Sequence, residues 1–85
     1  MYIVYILYSE STSKYYTGHT DNLENRLKRH NSGLSFSTKS GKPWCLIYQI
    51  GFSIRSEAMN LEQKIKKRGA KRYLLDNNLI DVSEL

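Results

Sequence analysis

Cysteine occurs once in this chain of 85 residues, at Cys45. A lone cysteine excludes an intrachain disulfide and a cysteine-based zinc site. Its place in the apolar run Trp44 to Tyr48 predicts a buried structural thiol. Membrane-length hydrophobic runs are missing too. The apolar opening, Met1 to Tyr8, has no cationic segment ahead of it and stops at Ser9-Glu10, too soon for a signal peptide or a membrane span. The default expectation is a cytoplasmic protein with no membrane partner. Internal repeats, low-complexity segments and an interdomain linker are also absent. Acids are scarce where bases are dense: from Arg26 to Arg72, twelve Lys and Arg stand against Glu57 and Glu62 alone.

What is present describes one compact domain. Eighty-five residues have room for a single core, so a functional site must be built from the elements that hold the fold together. Hydrophobic residues at 40% and charged residues at 25% are ordinary for a globular chain and exclude a disordered one. The formal charge of +5, concentrated in the central stretch, suits a polyanion such as nucleic acid. A solvated basic face is the plainer alternative.

Residues 2–8 are apolar or aromatic at both odd and even positions, which predicts a central strand covered on both sides. Ser9 to Ser13 reads as a polar turn, and Lys14 to His19 as the returning strand of a hairpin. Asp21, with Glu24 three residues on, predicts an N-cap for a helix from Asn22 to Ser32 that ends at Gly33. Leu34 to Pro43 reads as an exposed loop. Trp44 to Phe52 forms a third strand with Leu46, Tyr48, Ile50 and Phe52 on one face. Ser56 is expected to cap a second helix that aligns Ala58, Leu61 and Ile65 and stops at Gly69. A short last helix follows from Ala70 to Asn77. The expected fold is α+β: a small three-stranded antiparallel sheet flanked by helices, in the order β-β-α-β-α-α, with the domain over residues 1–80 and a flexible tail over 81–85.

Three features stand in sequence: Ile3-Val4-Tyr5 on the first strand, Tyr16-Thr17-Gly18 on the second, and Asn22, Arg26 and His30 along the first helix, where residues four apart share a face. Glu62 follows in the second helix. This pattern resembles the GIY-YIG (URI) nuclease family, small single-domain bacterial members most of all, over roughly Tyr2 to Asn77. The first triplet is Ile-Val-Tyr where the family has Gly-Ile-Tyr, and the second is Tyr-Thr-Gly; both keep their tyrosines. The resemblance implies a metal-dependent endonuclease that hydrolyses DNA phosphodiester bonds, with a role in DNA repair or recombination.

Such hydrolysis needs an activated water, neutralisation of charge on the phosphoryl oxygens and help for the departing oxygen. The resemblance makes Glu62 the single carboxylate that holds a divalent cation, Mg²⁺ or alternatively Mn²⁺, completed by water and phosphate oxygens. A surface ion pair with Lys66 four residues on is the alternative reading of Glu62. Arg26 resembles the arginine that contacts the scissile phosphate, a task for a planar, permanently charged fork. Tyr5 and Tyr16 resemble the tyrosines that orient or deprotonate the water, with core packing as the alternative. His19 and His30 are candidates for the proton relay that a phenol needs at neutral pH. Gly18 is expected to allow a close backbone approach.

Beyond Arg26, the expected nucleic-acid contacts are Arg29, Lys39, Lys42, Lys64, Lys67, Arg68, Lys71 and Arg72, all read as sequence-independent phosphate contacts. DNA is the expected partner, together with a protein that supplies targeting. A nucleic-acid-binding module of the same fold, with little or no cleavage of its own, is the competing reading.

Overall fold

The computed structural model describes residues 1–33 and 36–79. The strands are β1 (Tyr2–Ser9), β2 (Lys14–Thr20) and β3 (Trp44–Phe52); the helices are α1 (Leu23–Ser32), α2 (Arg55–Arg68) and α3 (Ala70–Asp76). A 3-10 helix, Phe36–Gly41, precedes β3. The sheet order is β2-β1-β3 with both pairings antiparallel, so β1 is the central strand. The expected tail, 81–85, lies outside the described residues, as do Leu34 and Ser35 of the expected loop.

Both sides of β1 are covered because its residues are apolar at both parities. Val4 and Ile6 pack against Ala58 and Ile65 of α2 and Leu74 of α3, all fully buried. Tyr5 and Leu7, on the other side, pack with Trp44 and with Leu23 and Leu27 of α1. Burying five such apolar side chains on the first side is worth about 1.5–3 kcal/mol for each of the larger ones, which makes that side the anchor of the fold.

Several local expectations shift. Asn22, one residue after Asp21, caps α1: its Oδ1 accepts from the Asn25 amide at 3.0 Å. The helix does end at Gly33, whose φ of 80° suits a residue without a side chain. Ser56 lies inside the first turn of α2, which has no side-chain cap. A bulge lies opposite Ile6 and Leu7, whose partners are Tyr48 and Leu46, so Ile47 is an extra residue in β3. One extra residue reverses the alternation. Leu46 therefore joins the α1 side and Tyr48 and Phe52 the α2 side, where an unbroken strand would place all three together. Cys45 is exposed, not buried, because its neighbour Trp44 takes the covered side.

The segment before β3 is not simply an exposed loop. Thr38 is buried, its carbonyl accepts from the Trp44 indole at 2.8 Å, and Asn31 of α1 bonds both the amide and the carbonyl of Trp44. These bonds fasten the 3-10 helix against α1. A Cβ on Gly41 would stand 2.2 Å from the Trp44 ring, so this position has no room for a side chain. Among the described residues, no helix is long and apolar enough to cross a membrane.

Candidate active site

The strand register decides which groups meet. Tyr5 faces Gly18 across the β1–β2 pair and Leu7 faces Tyr16, so Tyr5, Tyr16 and Gly18 lie on the α1 side. His19 faces Val4 and so lies on the α2 side. Strand β2 is one edge of the sheet, and an open cleft of about 290 Å³ beside it is lined by Tyr5, Tyr16, Gly18, His19, Arg26, Arg55 and Glu62. Groups from both sides of the sheet thus meet around one edge strand. Gly18 earns its place sterically: a Cβ there would lie 2.7 Å from the Tyr5 hydroxyl and 3.3 Å from the Tyr16 ring.

Tyr5 is only 1% exposed, and its hydroxyl sits 3.1 Å from Nε2 of His30. His30 Nδ1 in turn lies 2.7 Å from the Thr38 hydroxyl. Burial, with the positive charges of Arg26 and Arg29, holds His30 below its ordinary pKa and so neutral. A neutral imidazole donates through one nitrogen and accepts through the other, and a hydroxyl at each end can complement either arrangement. The result is a buried chain from Thr38 through His30 to Tyr5. Burial, the neighbouring Tyr16 and the Glu62 charge raise the Tyr5 pKa well above its usual value, and nearby Arg26 only partly offsets them. Tyr5 remains a phenol at any physiological pH.

Glu62 projects from α2 with its side chain 12% exposed. His19 Nδ1 lies 2.5 Å from Oε1, and Lys66 donates to Oε2 at 2.8 Å. Burial alone would raise the Glu62 pKa, but the bonds and charges of Lys66 and His19 outweigh it and leave it lowered. An ionised carboxylate can only accept, so the His19 nitrogen facing it carries the proton. The Lys66 pair, the alternative reading of Glu62, is present, and the same carboxylate still lines the cleft.

Of the six residues expected to be catalytic, five line this cleft: Tyr5, Tyr16, His19, Arg26 and Glu62. His30 does not; it is 1% exposed and stands behind Tyr5. Arg55, which the sequence reading left out, lines the cleft with them. A signal for it existed, since Arg55 lies seven residues, about two helical turns, before Glu62 on the same face of α2. Of the expected nucleic-acid contacts only Arg26 is in the cleft. Arg29, Lys39, Lys42, Lys64, Lys67, Lys71 and Arg72 are exposed elsewhere, and the Arg68 fork already donates to Asp76 at 2.7 and 3.1 Å.

These features match a known family. The model of the GIY-YIG catalytic domain fits residues 1–74. The chain belongs to the GIY-YIG family. GIY-YIG catalytic domains are typically nucleases, which implies DNA binding, and generally use divalent metals. The chain is similar to a UPF0213 protein of Staphylococcus haemolyticus, 45% identical over 64 residues that cover 74% of this chain and 77% of that one. A UPF0213 protein of Clostridium perfringens is 40% identical over 83 residues, 94% of this chain and 88% of the relative. The solution NMR structure of a UPF0213 protein from Bacillus halodurans has the same fold, with a TM-score of 0.54 and 32% identity over 89% of this chain and 84% of that one.

The donor set of the GIY-YIG cleft fits one kind of metal. Among the described residues, no group of three or more His, Cys, Asp or Glu could cage an ion. Glu62 is the one carboxylate lining the cleft. A hard cation such as Mg²⁺ that keeps most of its waters suits a single carboxylate, whereas Zn²⁺ in a structural site requires four protein ligands.

Proposed function

We propose that this GIY-YIG domain is a metal-dependent endonuclease that hydrolyses phosphodiester bonds in DNA. One observation carries the reading: Tyr5, Tyr16, His19, Arg26 and Glu62 line one cleft although they come from two strands and two helices. In this reading water attacks phosphorus, the bond to the departing sugar oxygen breaks, and the water proton passes to a base. Arg26 binds the scissile phosphate and stabilises the charge growing on its oxygens. Tyr5, held as a phenol and oriented by His30, donates a hydrogen bond into the cleft and does not act as the base. Accepting the proton is left to the groups that face the cleft, Tyr16 and His19. Glu62 would hold the divalent cation, which when bound supplies positive charge to the phosphate and lowers the pKa of water. Lys64 and Lys67 of α2 and Lys71 and Arg72 of α3, all exposed, hold more distant phosphates without reading sequence.

The test is cleavage of plasmid and branched DNA with Mg²⁺ or Mn²⁺ by the wild type, Glu62→Ala and Arg26→Ala. Each variant is expected to lose at least about 100-fold in rate, with DNA binding retained in Glu62→Ala. One observation favours the competing reading of a binding module: both Glu62 oxygens are already held, by His19 and Lys66. Tight DNA binding by the wild type without cleavage of any substrate would decide for that reading.

A further inference from the structure

A second open cleft, of about 250 Å³, adjoins the first and shares His19, Arg26 and Arg55 with it; Tyr2, Thr20 and Asp21 complete its walls. The catalytic reading uses Arg26 and leaves Arg55 without a task. Among the described residues no carboxylate forms an ion pair with Arg55. Arg55 lines both clefts, and its fork makes no hydrogen bond or ion pair among the described residues. Such a group binds phosphate oxygens in a defined geometry, where an ammonium acts only as a point charge.

The walls of the second cleft narrow its chemistry. Thr20 offers no free hydroxyl, because its Oγ1 accepts from the Asn22 amide at 3.1 Å and donates to the Asn22 carbonyl at 3.3 Å. Asp21 lines the cleft together with the two arginines, which leaves a modest positive excess suited to a singly charged group. A phosphodiester carries one charge per phosphate, as a nucleic-acid strand does. Tyr2, half-buried on β1, gives the cleft an aromatic wall of the kind against which nucleotides pack.

We infer that the cleft between Arg55, Arg26 and Tyr2 is a second phosphate subsite, which binds the phosphodiester next to the scissile one on the same strand. This rests on the nuclease reading only for the word scissile; two adjoining phosphate sites are the physical claim. Arg26 lies between the sites and serves both, and Arg55 supplies the fork of the second. Holding two successive phosphates fixes the direction of the strand across the cleft, which a single contact cannot do. Orienting the reacting bond in this way is worth much of a catalytic effect.

The experiment measures binding without divalent ions, so no cleavage is needed. The probes are the thymidine dinucleotide TpT, with one phosphodiester, and the trinucleotide TpTpT, with two, titrated into the intact chain and followed by amide chemical shifts. The second phosphate is expected to tighten wild-type binding by about fivefold, more than the twofold that two binding registers alone would give, and to shift the Tyr2, Thr20 and Asp21 amides. Arg55→Gln should remove this gain, so that TpTpT then binds at most about twofold more tightly than TpT, whereas Arg55→Lys should keep part of it. Asp21→Asn should enlarge the gain. Equal losses for both probes in Arg55→Gln, or no gain from the second phosphate in the wild type, would overturn the subsite. Failure of the nuclease reading appears elsewhere, as binding of both probes with the expected gain but no cleavage of DNA.

Discussion

The two sides of the central strand do different work. Toward α2 and α3, β1 presents Val4 and Ile6 to Ala58, Ile65 and Leu74, an entirely apolar contact. Toward α1 it presents Tyr5 and Leu7 to a layer that buries His30 and Thr38 beside Trp44. Buried polar groups are tolerated only when bonded, and among the described residues no buried side-chain nitrogen or oxygen lacks a partner. Along β1 itself, alternation thus separates an apolar anchor from a buried polar chain, while Glu62 and His19 reach the cleft from the α2 side. Val4 and Ile6 hold the sheet to α2 and α3, and Tyr5 sets its hydroxyl against His30 in the wall of the cleft. A protein with a single core can build a site in this way without weakening the side that holds it together.

The sharpest way to break the comparison is to damage one side at a time. Ile65→Ala empties a fully buried position on the apolar side and is expected to cost about 2–5 kcal/mol of stability, read from urea denaturation. Molecules that remain folded should still bind DNA as the wild type does. Thr38→Val strikes the other side. It removes the hydroxyl beside His30 Nδ1 and should cost less, about 1–3 kcal/mol. Its larger effect should fall on kcat, with KM little changed, because the imidazole that orients Tyr5 loses the hydrogen bond that anchors its far nitrogen. An unchanged kcat in Thr38→Val would mean that the buried chain only fills space.

This division explains what could be read in the sequence. The double-sided apolar pattern of residues 2–8 revealed the central strand, and the spacing of Tyr5, Tyr16, Arg26 and Glu62 marked groups that the fold does bring to one cleft. Local pattern reaches that far because helices and strands have fixed periods. It fails where pairing between distant segments decides. The bulge at Ile47 is set by how β3 registers on β1, and nothing within the strand announces it. Thr38 looked like a loop residue because its burial depends on Trp44 and Asn31 closing over it. His30 was expected at the cleft because it shares a helix face with Arg26, yet one helical turn is enough to carry it behind Tyr5. Arg55 was lost among twelve basic residues of similar appearance.

The smallest expected effect sharpens the comparison through pH. His30 starts from an ordinary pKa of 6.5 and is held lower in the fold by burial and by Arg26 and Arg29. As pH falls below 6.5, the unfolded chain takes up a proton at this position and the folded chain does not. Stability should therefore fall with pH in that window, by at most about 1.4 kcal/mol per pH unit for one proton. Glu62 works lower down: its folded pKa lies below 4.5, so its contribution is present above 4.5 and is lost as pH drops through the folded value. The two windows do not coincide. Urea denaturation at pH 7.5, 6.5 and 5.5 should give a decline in the wild type that is shallower in His30→Gln, even though that variant starts out less stable. Equal slopes in the two proteins would mean that the folded chain accommodates a charged His30, and the α1 side would then lose its distinction as the side that keeps its polar groups neutral and paired.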